Sequence, residues 1–364
     1  MSGKEVKAGK FSGEAVFAKI RPIMIPAIAL IALLLFNVIR DPSFFVMSTT
    51  GDGVLTGTLI SVIDEATELV ILTIGMTLVT AASGGQDISV GATMALVGSV
   101  IIKVLLGDGS QAELQNPVFL AFLIGCLVAM AVGLFNGVLV AFFKIQPMIA
   151  TLIMFTAGRS IAAWVNQNSN FSTSDVSLKQ WGTSFSGVPI FTPILISIAC
   201  FIIIALVLKF TTLGLYTQAV GINESSSRLN GINPKLIKLL AFIILGFCAG
   251  IAGFVMVSRQ GSINYSGDAK NIEMDAILAV AIGGNALAGG KFSMVGSVMG
   301  AYVIQLLDKT LNLFNIGGEQ KPAYKAVVVI LLVVFSSETV REKLSKFWKK
   351  VTAKNKAKEV GTNV

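Results

Sequence analysis

Histidine is absent from all 364 residues. No His-ligated metal, imidazole general base or Ser-His and Cys-His nucleophile pair can be built from this chain, which excludes most hydrolase chemistry. Charge is also scarce: 13% of residues are charged, against roughly 25% in soluble domains. Apolar side chains take its place, at 54% of the chain with a mean hydropathy of +0.79. Composition therefore predicts an all-α polytopic membrane protein. The few cysteines, Cys126, Cys200 and Cys248, lie in apolar runs at spacings that suit neither a zinc site nor a CxxC redox pair, and they read as packing. A phosphate-binding loop is missing too. GGKFS at 289–293 comes nearest, but Asn285 stands where GxxxxGK[ST] needs its first glycine and Phe292 where it needs Ser or Thr. No catalytic residue, metal site or cofactor is expected, and any ATP-driven work needs another subunit.

What is present is long apolar runs separated by short polar links. The net charge of +8 comes from basic residues in the tails and loops without interleaved aromatics, a membrane-topology pattern and not a nucleic-acid one. Ten spans are expected, at about Pro22–Val38, Glu65–Ser83, Ile88–Leu106, Pro117–Phe143, Pro147–Val165, Phe191–Leu208, Leu236–Val257, Ile272–Leu287, Phe292–Leu307 and Pro322–Phe335. Residues 1–21 read as a cytoplasmic amino tail, 22–337 as the membrane domain, and 338–364 as a basic cytoplasmic tail attracted to anionic lipid. Alternating the spans from a cytoplasmic amino end gathers most Lys and Arg inside and most Asp and Glu outside, as the positive-inside rule requires. Residues 40–64, 166–189 and 259–273 then fall outside as polar links. Arg159, near the outer end of its span, reads as snorkelling or paired. Gly133 with Gly137, and GFCAGIAG at 246–253, read as surfaces for close helix packing.

Two of the links are glycine-rich breaks between apolar runs. The first is GGQDISVG, with Gly84, Gly85, Gln86, Asp87, Ser89 and Gly91; the second is GGNALAGG, with Gly283, Gly284, Asn285, Gly289 and Gly290. They align at one constant offset, Gly84, Gly85, Gln86, Ile88 and Gly91 falling on Gly283, Gly284, Asn285, Leu287 and Gly290. Transporters built from repeats place discontinuous helices in corresponding positions beside the translocation pathway. Asp87 falls on Ala286 and does not repeat. It reads first as a cap for the helix that follows and second as a polar group on the pathway. Asn136, within a span, reads as interhelical glue before ligand. Carriers coupled to protons or sodium bury ionisable groups in mid-span; here Glu68, Glu273, Asp275 and Asp308 sit near span ends, which weakens that alternative.

Residues 210–236 are too polar to span. Asn223 suits an N-cap, Glu224 the first helical turn, and Gly231 and Pro234 the stop signals of a short cytoplasmic helix.

GGQDISVGATMALVGS resembles the signature of sugar permeases from ATP-binding-cassette (ABC) importers, the ribose and simple-sugar branch. GGNALAGGKFSMVGSVMGAYVIQ is similar to that family's second glycine motif, and 134–162 and 211–242 fit it in order and spacing. The likeness covers about residues 60–336, and EMDAILAVAIGG, KIQP and KAVVV look most like the galactofuranose type. The resemblance implies a bacterial inner-membrane permease with both termini cytoplasmic, a second permease subunit, identical or related, ATPase subunits and an extracytoplasmic sugar-binding protein. It places Glu224, Arg228, Leu229 and Gly231 in a coupling helix for the ATPase, where Ser225, Ser226 and Ser227 replace the family's usual alanines. Gln86, Asn136, Asn285 and Gln305 are the candidates to hydrogen-bond an uncharged sugar. Permeases for nucleosides or branched-chain amino acids, and secondary carriers, are the alternatives.

Overall fold

The computed structural model describes residues 13–51, 53–107, 114–314, 316–318 and 320–336. The basic tail at 338–364 and residues 1–12 lie outside the described residues.

The chain opens with α1 (Gly13–Arg40), a 3₁₀ turn (Pro42–Phe45) and a small hairpin of β1 (Ser48–Thr49) and β2 (Leu55–Thr56). It continues through α2 (Thr58–Glu65), α3 (Thr67–Ser83), α4 (Val90–Leu106), α5 (Val118–Ala141) and α6 (Pro147–Val165). Then come β3 (Phe171–Ser172), α7 (Val176–Gly182), α8 (Thr192–Phe210), α9 (Leu213–Ile222), α10 (Glu224–Leu229) and α11 (Pro234–Gln260). β4 (Ser262–Ile263), α12 (Ile272–Ile282), α13 (Met294–Leu313) and α14 (Lys321–Ser336) complete it.

Among the described residues, five stretches are long and apolar enough to cross a membrane: α2 with α3, α5, α6, α8 and α11; α4 and residues 26–40 of α1 are shorter apolar helices. In a bilayer no water is available for backbone groups, so continuous helices are the economical solution for such runs. The helices form two layers. In the most apolar window of α2–α3, 89% of residues are buried, and 78% in α11, against 22% in α6 and in α8. α3, α4 and α11 thus form the centre, while α5, α6 and α8 turn Phe119, Leu127, Ile149 and Ile203 outward, a surface that lipid tails match. The small residues behave as expected. A Cβ on Gly133 would strike the Phe242 carbonyl, and one on Gly250 would lie 2.9 Å from the Cys126 Cα, so α5 and α11 meet backbone to backbone. All three cysteines are free and buried.

Several expectations about links are corrected. Residues 40–64 are not simply a polar link, because α2 begins at Thr58 and turns into α3 at Ala66. Residues 166–189 contain β3 and α7: Asp175 caps α7 by accepting from Ser177 N at 2.7 Å, and Leu178 is buried. β3 pairs antiparallel with β4, Phe171 opposite Ile263, which pins this segment over the end of α11. The stretch after α11 does not stay at the rim. A Cβ on Gly98 would meet Ile263, and one on Gly91 would lie 2.5 Å from the Ala269 carbonyl, so 263–271 descends along α4 as turns outside any helix. Arg159 accounts for that irregular backbone. It donates to the carbonyls of Tyr265 (3.0 Å) and Asp268 (3.1 Å) and therefore does not snorkel. α12 has 11 residues, about 16 Å at 1.5 Å each, about half the hydrocarbon thickness. The expected eighth span is a half-length helix that starts where this descending segment ends.

Candidate functional site

α3 stops at Gly84, whose left-handed conformation (φ 65°) lets its N–H close on the Thr80 carbonyl at 3.0 Å. The backbone then runs free to Ser89, and Asp87 organises it. Its Oδ1 accepts from Ser89 N (2.7 Å) and Ser89 Oγ (2.6 Å), and its Oδ2 accepts from Asn136 Nδ2 at 3.2 Å. Asn136, fully buried on α5, also donates to Ser89 Oγ at 2.9 Å. Ile88 N–H is taken by Thr151 Oγ1 of α6 at 3.2 Å. Asp87 closes the turn just before α4, which itself carries no side-chain cap bond, and Asn136 ties α5 to that turn.

The second break is stapled by an amide. Asn285 Oδ1 accepts from Ser293 N at 2.6 Å, while its Nδ2 donates to the Val280 carbonyl (2.9 Å) and to Ser297 Oγ (2.7 Å). Ser293 caps α13 through Gly296 N, and Thr77 of α3 donates to Ser297 Oγ at 2.7 Å. The register of the expected repeat is not kept in the backbone. Gly84 is left-handed whereas its counterpart Gly283 has φ −61°, and the turn falls instead on Gly284 at φ 80°.

The two breaks touch. Gly290 N–H donates to the Ala81 carbonyl at 2.9 Å, and Gln86 Nε2 donates to the Leu287 carbonyl at 3.3 Å. A Cβ on Gly84 would lie 2.7 Å from the Ala288 carbonyl, and one on Gly85 2.7 Å from the Pro147 ring. Gly289, at φ 94°, lies with its side-chain direction 3.1 Å from Gly84 Cα. Gly91 sits apart in the first turn of α4, against Glu273, whose Oε2 is buried without a partner among the described residues. Gln305 is not part of this meeting: it lies farther along α13 and donates to Glu65 at 3.2 Å.

Beside the breaks lies the short polar helix. Asn223 caps α10 by accepting from Ser226 N at 2.9 Å, and Gly231 turns the chain at φ 80°. Glu224 is held by Lys238 at 2.7 Å, and this hydrogen bond keeps its carboxyl below the ordinary glutamate value. Arg228 stands 3.9 Å from Glu224 and is mostly exposed, and Leu229 is 90% exposed. Ser225 and Ser226 face outward while Ser227 is buried, its Oγ on the Asn223 carbonyl at 2.9 Å, so only two of the serines make the outer face more polar. A cleft of about 430 Å³ separates α10 from the α5–α6 turn, lined by Lys144, Gln146, Pro147, Glu224, Arg228 and Lys238 among others.

At the opposite end of the bundle three of the acids flagged in the sequence, Glu68, Asp275 and Asp308, find cations, and Glu273 does not among the described residues. Arg259 is paired with Asp64 and Glu68, and Lys325 bridges Asp275 (2.9 Å) and Asp308 (3.1 Å). Sequence reasoning missed Pro147, Thr77, Ser297, Lys238 and Gly221. Thr77 and Ser297 were polar residues inside apolar runs, a usable signal; Gly221 carried none.

Residues 58–337 match the family described as branched-chain amino acid transport system / permease component. The chain is 35% identical to the fructose import permease protein of Bifidobacterium longum, over 92% of each chain. It is 36% identical to the galactofuranose transporter permease protein of Escherichia coli, over 85% of this chain and 88% of that one. With the ribose import permease protein of Haemophilus influenzae it shares 31% identity over 87% and 94%. No solved structure matches the chain.

Proposed function

The chain belongs to the permease family of simple-sugar ABC importers, and on that premise we propose that it carries a neutral simple sugar inward by alternating access, driven by separate ATPase subunits. The observation that carries this reading is the direct contact of the two glycine breaks next to the capped helix α10. Interrupted helices mark binding pathways in transporters, and here both interruptions share one hydrogen-bonded junction, Gly290 to Ala81. α10 offers an exposed Leu229 and Arg228 for a partner surface.

Under this reading residues 210–236 face the cytoplasm, the chain crosses ten times with both termini inside, the segment before α12 together with α12 making the eighth crossing, and an extracytoplasmic binding protein and a second permease subunit complete the importer. Asp87, Ser89 and Asn136 hold the first break in shape by bonding one another, and Asn285 holds the second through Ser293, Val280 and Ser297. The glycines of both breaks let backbone line the pathway, where carbonyl and N–H groups serve a hydroxylated, uncharged solute.

The test is transport in vesicles containing the permease, its ATPase and its binding protein, offered labelled fructose, ribose, galactofuranose or leucine. ATP-dependent sugar uptake is expected. Uptake driven by a proton gradient without the ATPase overturns the ABC reading, and uptake of leucine in place of sugars moves the substrate to the amino-acid class that the family description names.

A further inference from the structure

Coupling requires that a displacement at α10 reach the pathway, and we infer that Gly221 and Ile222, the last residues of α9, are the positioning residues that move both glycine breaks together. This inference rests on the reading of α10 as the ATPase-coupling helix.

Only Asn223 separates α9 from α10. Gly221 lies so close to α3 and the second break that a Cβ there would collide with the Ala81 carbonyl and come within 2.5 Å of Gly290 N. Those two groups are the acceptor and donor of the 2.9 Å hydrogen bond that joins the breaks. Ile222 meets the same glycine: its Cγ1 would stand 2.9 Å from a Cβ on Gly290. At this junction the end of α3, the end of α9 and the second break meet with almost no side chain between them.

That absence sets the mechanics. A side chain at a contact can change rotamer and absorb a shift, but backbone packed against backbone at van der Waals distance has low compressibility and transmits it. A movement of Gly221 must therefore carry Ala81 and Gly290 with it or break their hydrogen bond. The other route from α10 leads through the α5–α6 turn to Pro147 and Gly85. It crosses the cleft lined by Lys144, Gln146 and Arg228, long side chains with open space around them, and so has slack. Gly221 gives up helix propensity at this position, about 1 kcal/mol relative to alanine, which its close approach explains.

The experiment uses the complete transporter in vesicles and measures ATP hydrolysis and uptake of the labelled sugar that wild type carries. Ile222→Ala removes the cover over Gly290 at a residue 64% exposed, so folding is retained. We expect hydrolysis close to wild type and sugar carried per ATP reduced about fivefold, with about tenfold for Gly221→Ala, within the range of coupling changes from single residues. An unchanged ratio of sugar to ATP in Ile222→Ala, or hydrolysis and uptake falling in step, overturns the joint while ATP-dependent wild-type uptake still stands. Wild-type uptake that ignores ATP overturns the coupling reading and the joint with it. If Gly221→Ala fails to accumulate, Ile222→Ala alone decides.

Discussion

Asn136 Nδ2 donates to Asp87 Oδ2 at 3.2 Å, from the C-terminal part of α5 to the first break, and both residues are buried. The pair makes the break depend on a helix that is otherwise an apolar surface. Asn136→Leu removes this donor and the one to Ser89, leaving a buried carboxylate short of a partner, at a cost of about 1–3 kcal/mol. The expected result is a lower midpoint of thermal unfolding in detergent. A midpoint equal to wild type would show that the bond does not hold the break.

Asp87 and the glycines make different demands. Asp87→Asn keeps an acceptor for the Ser89 N–H, so transport should fall only modestly. Gly85→Leu forces side-chain atoms into the Pro147 ring, and Gly284→Leu places a branched residue at φ 80°, a strained conformation costing about 1–3 kcal/mol before any clash. Uptake in cells, normalised to permease abundance, should rank Asp87→Asn well above both leucine variants. The reverse ranking would return Asp87 to the role of sugar ligand.

Glu224 bonds to Lys238 and is depressed below its ordinary pKa, first by that hydrogen bond and then, against the cost of burial, by the charges of Lys238, Arg228 and Lys144. A depressed folded-state pKa means that its contribution to folding is complete above the unfolded value and is lost as pH falls through the folded value. Protease protection of residues 210–236 should therefore stay level from about pH 8 to about pH 5 and drop only in stronger acid, while Glu224→Gln removes the acid-side drop. The glutamate is 39% exposed, so the effect is small. Glu224→Lys places like charges together and should uncouple ATP hydrolysis from uptake without loss of membrane insertion; adding Lys238→Glu should restore part of the coupling.

Arg159 supplies two charge-assisted hydrogen bonds to a non-helical segment packed along α4. Arg159→Leu removes the donor from both partly buried carbonyls, at about 1–3 kcal/mol, and should release 263–271 to hydrogen exchange. Arg159→Lys offers a point charge in place of a planar fork and should rescue only in part. Exchange rates unchanged in the leucine variant would refute this role for the arginine.

The linear pattern of residues was enough for the helices that lipid demands, since an apolar run of membrane length has few other ways to satisfy its backbone. It also revealed the two glycine breaks, because glycine and polar residues interrupt such runs visibly, and the start of α10, because an Asn cap followed by Glu is a local signal. α7 escaped notice, as a seven-residue mixed segment at 176–182 becomes a helix only through the buried Leu178 and the strand pairing with 262–263. The half-length α12 escaped for a similar reason: Glu273 and Asp275 lay in a hydrophobic window that read as a span. Tertiary structure alone brought Ala81, Gly221 and Gly290 to one point, made Arg159 the support of a segment a hundred residues away, and set Gln305 apart from the breaks. Those contacts are long-range, and nothing in the neighbourhood of a glycine along the chain records which backbone will press against it.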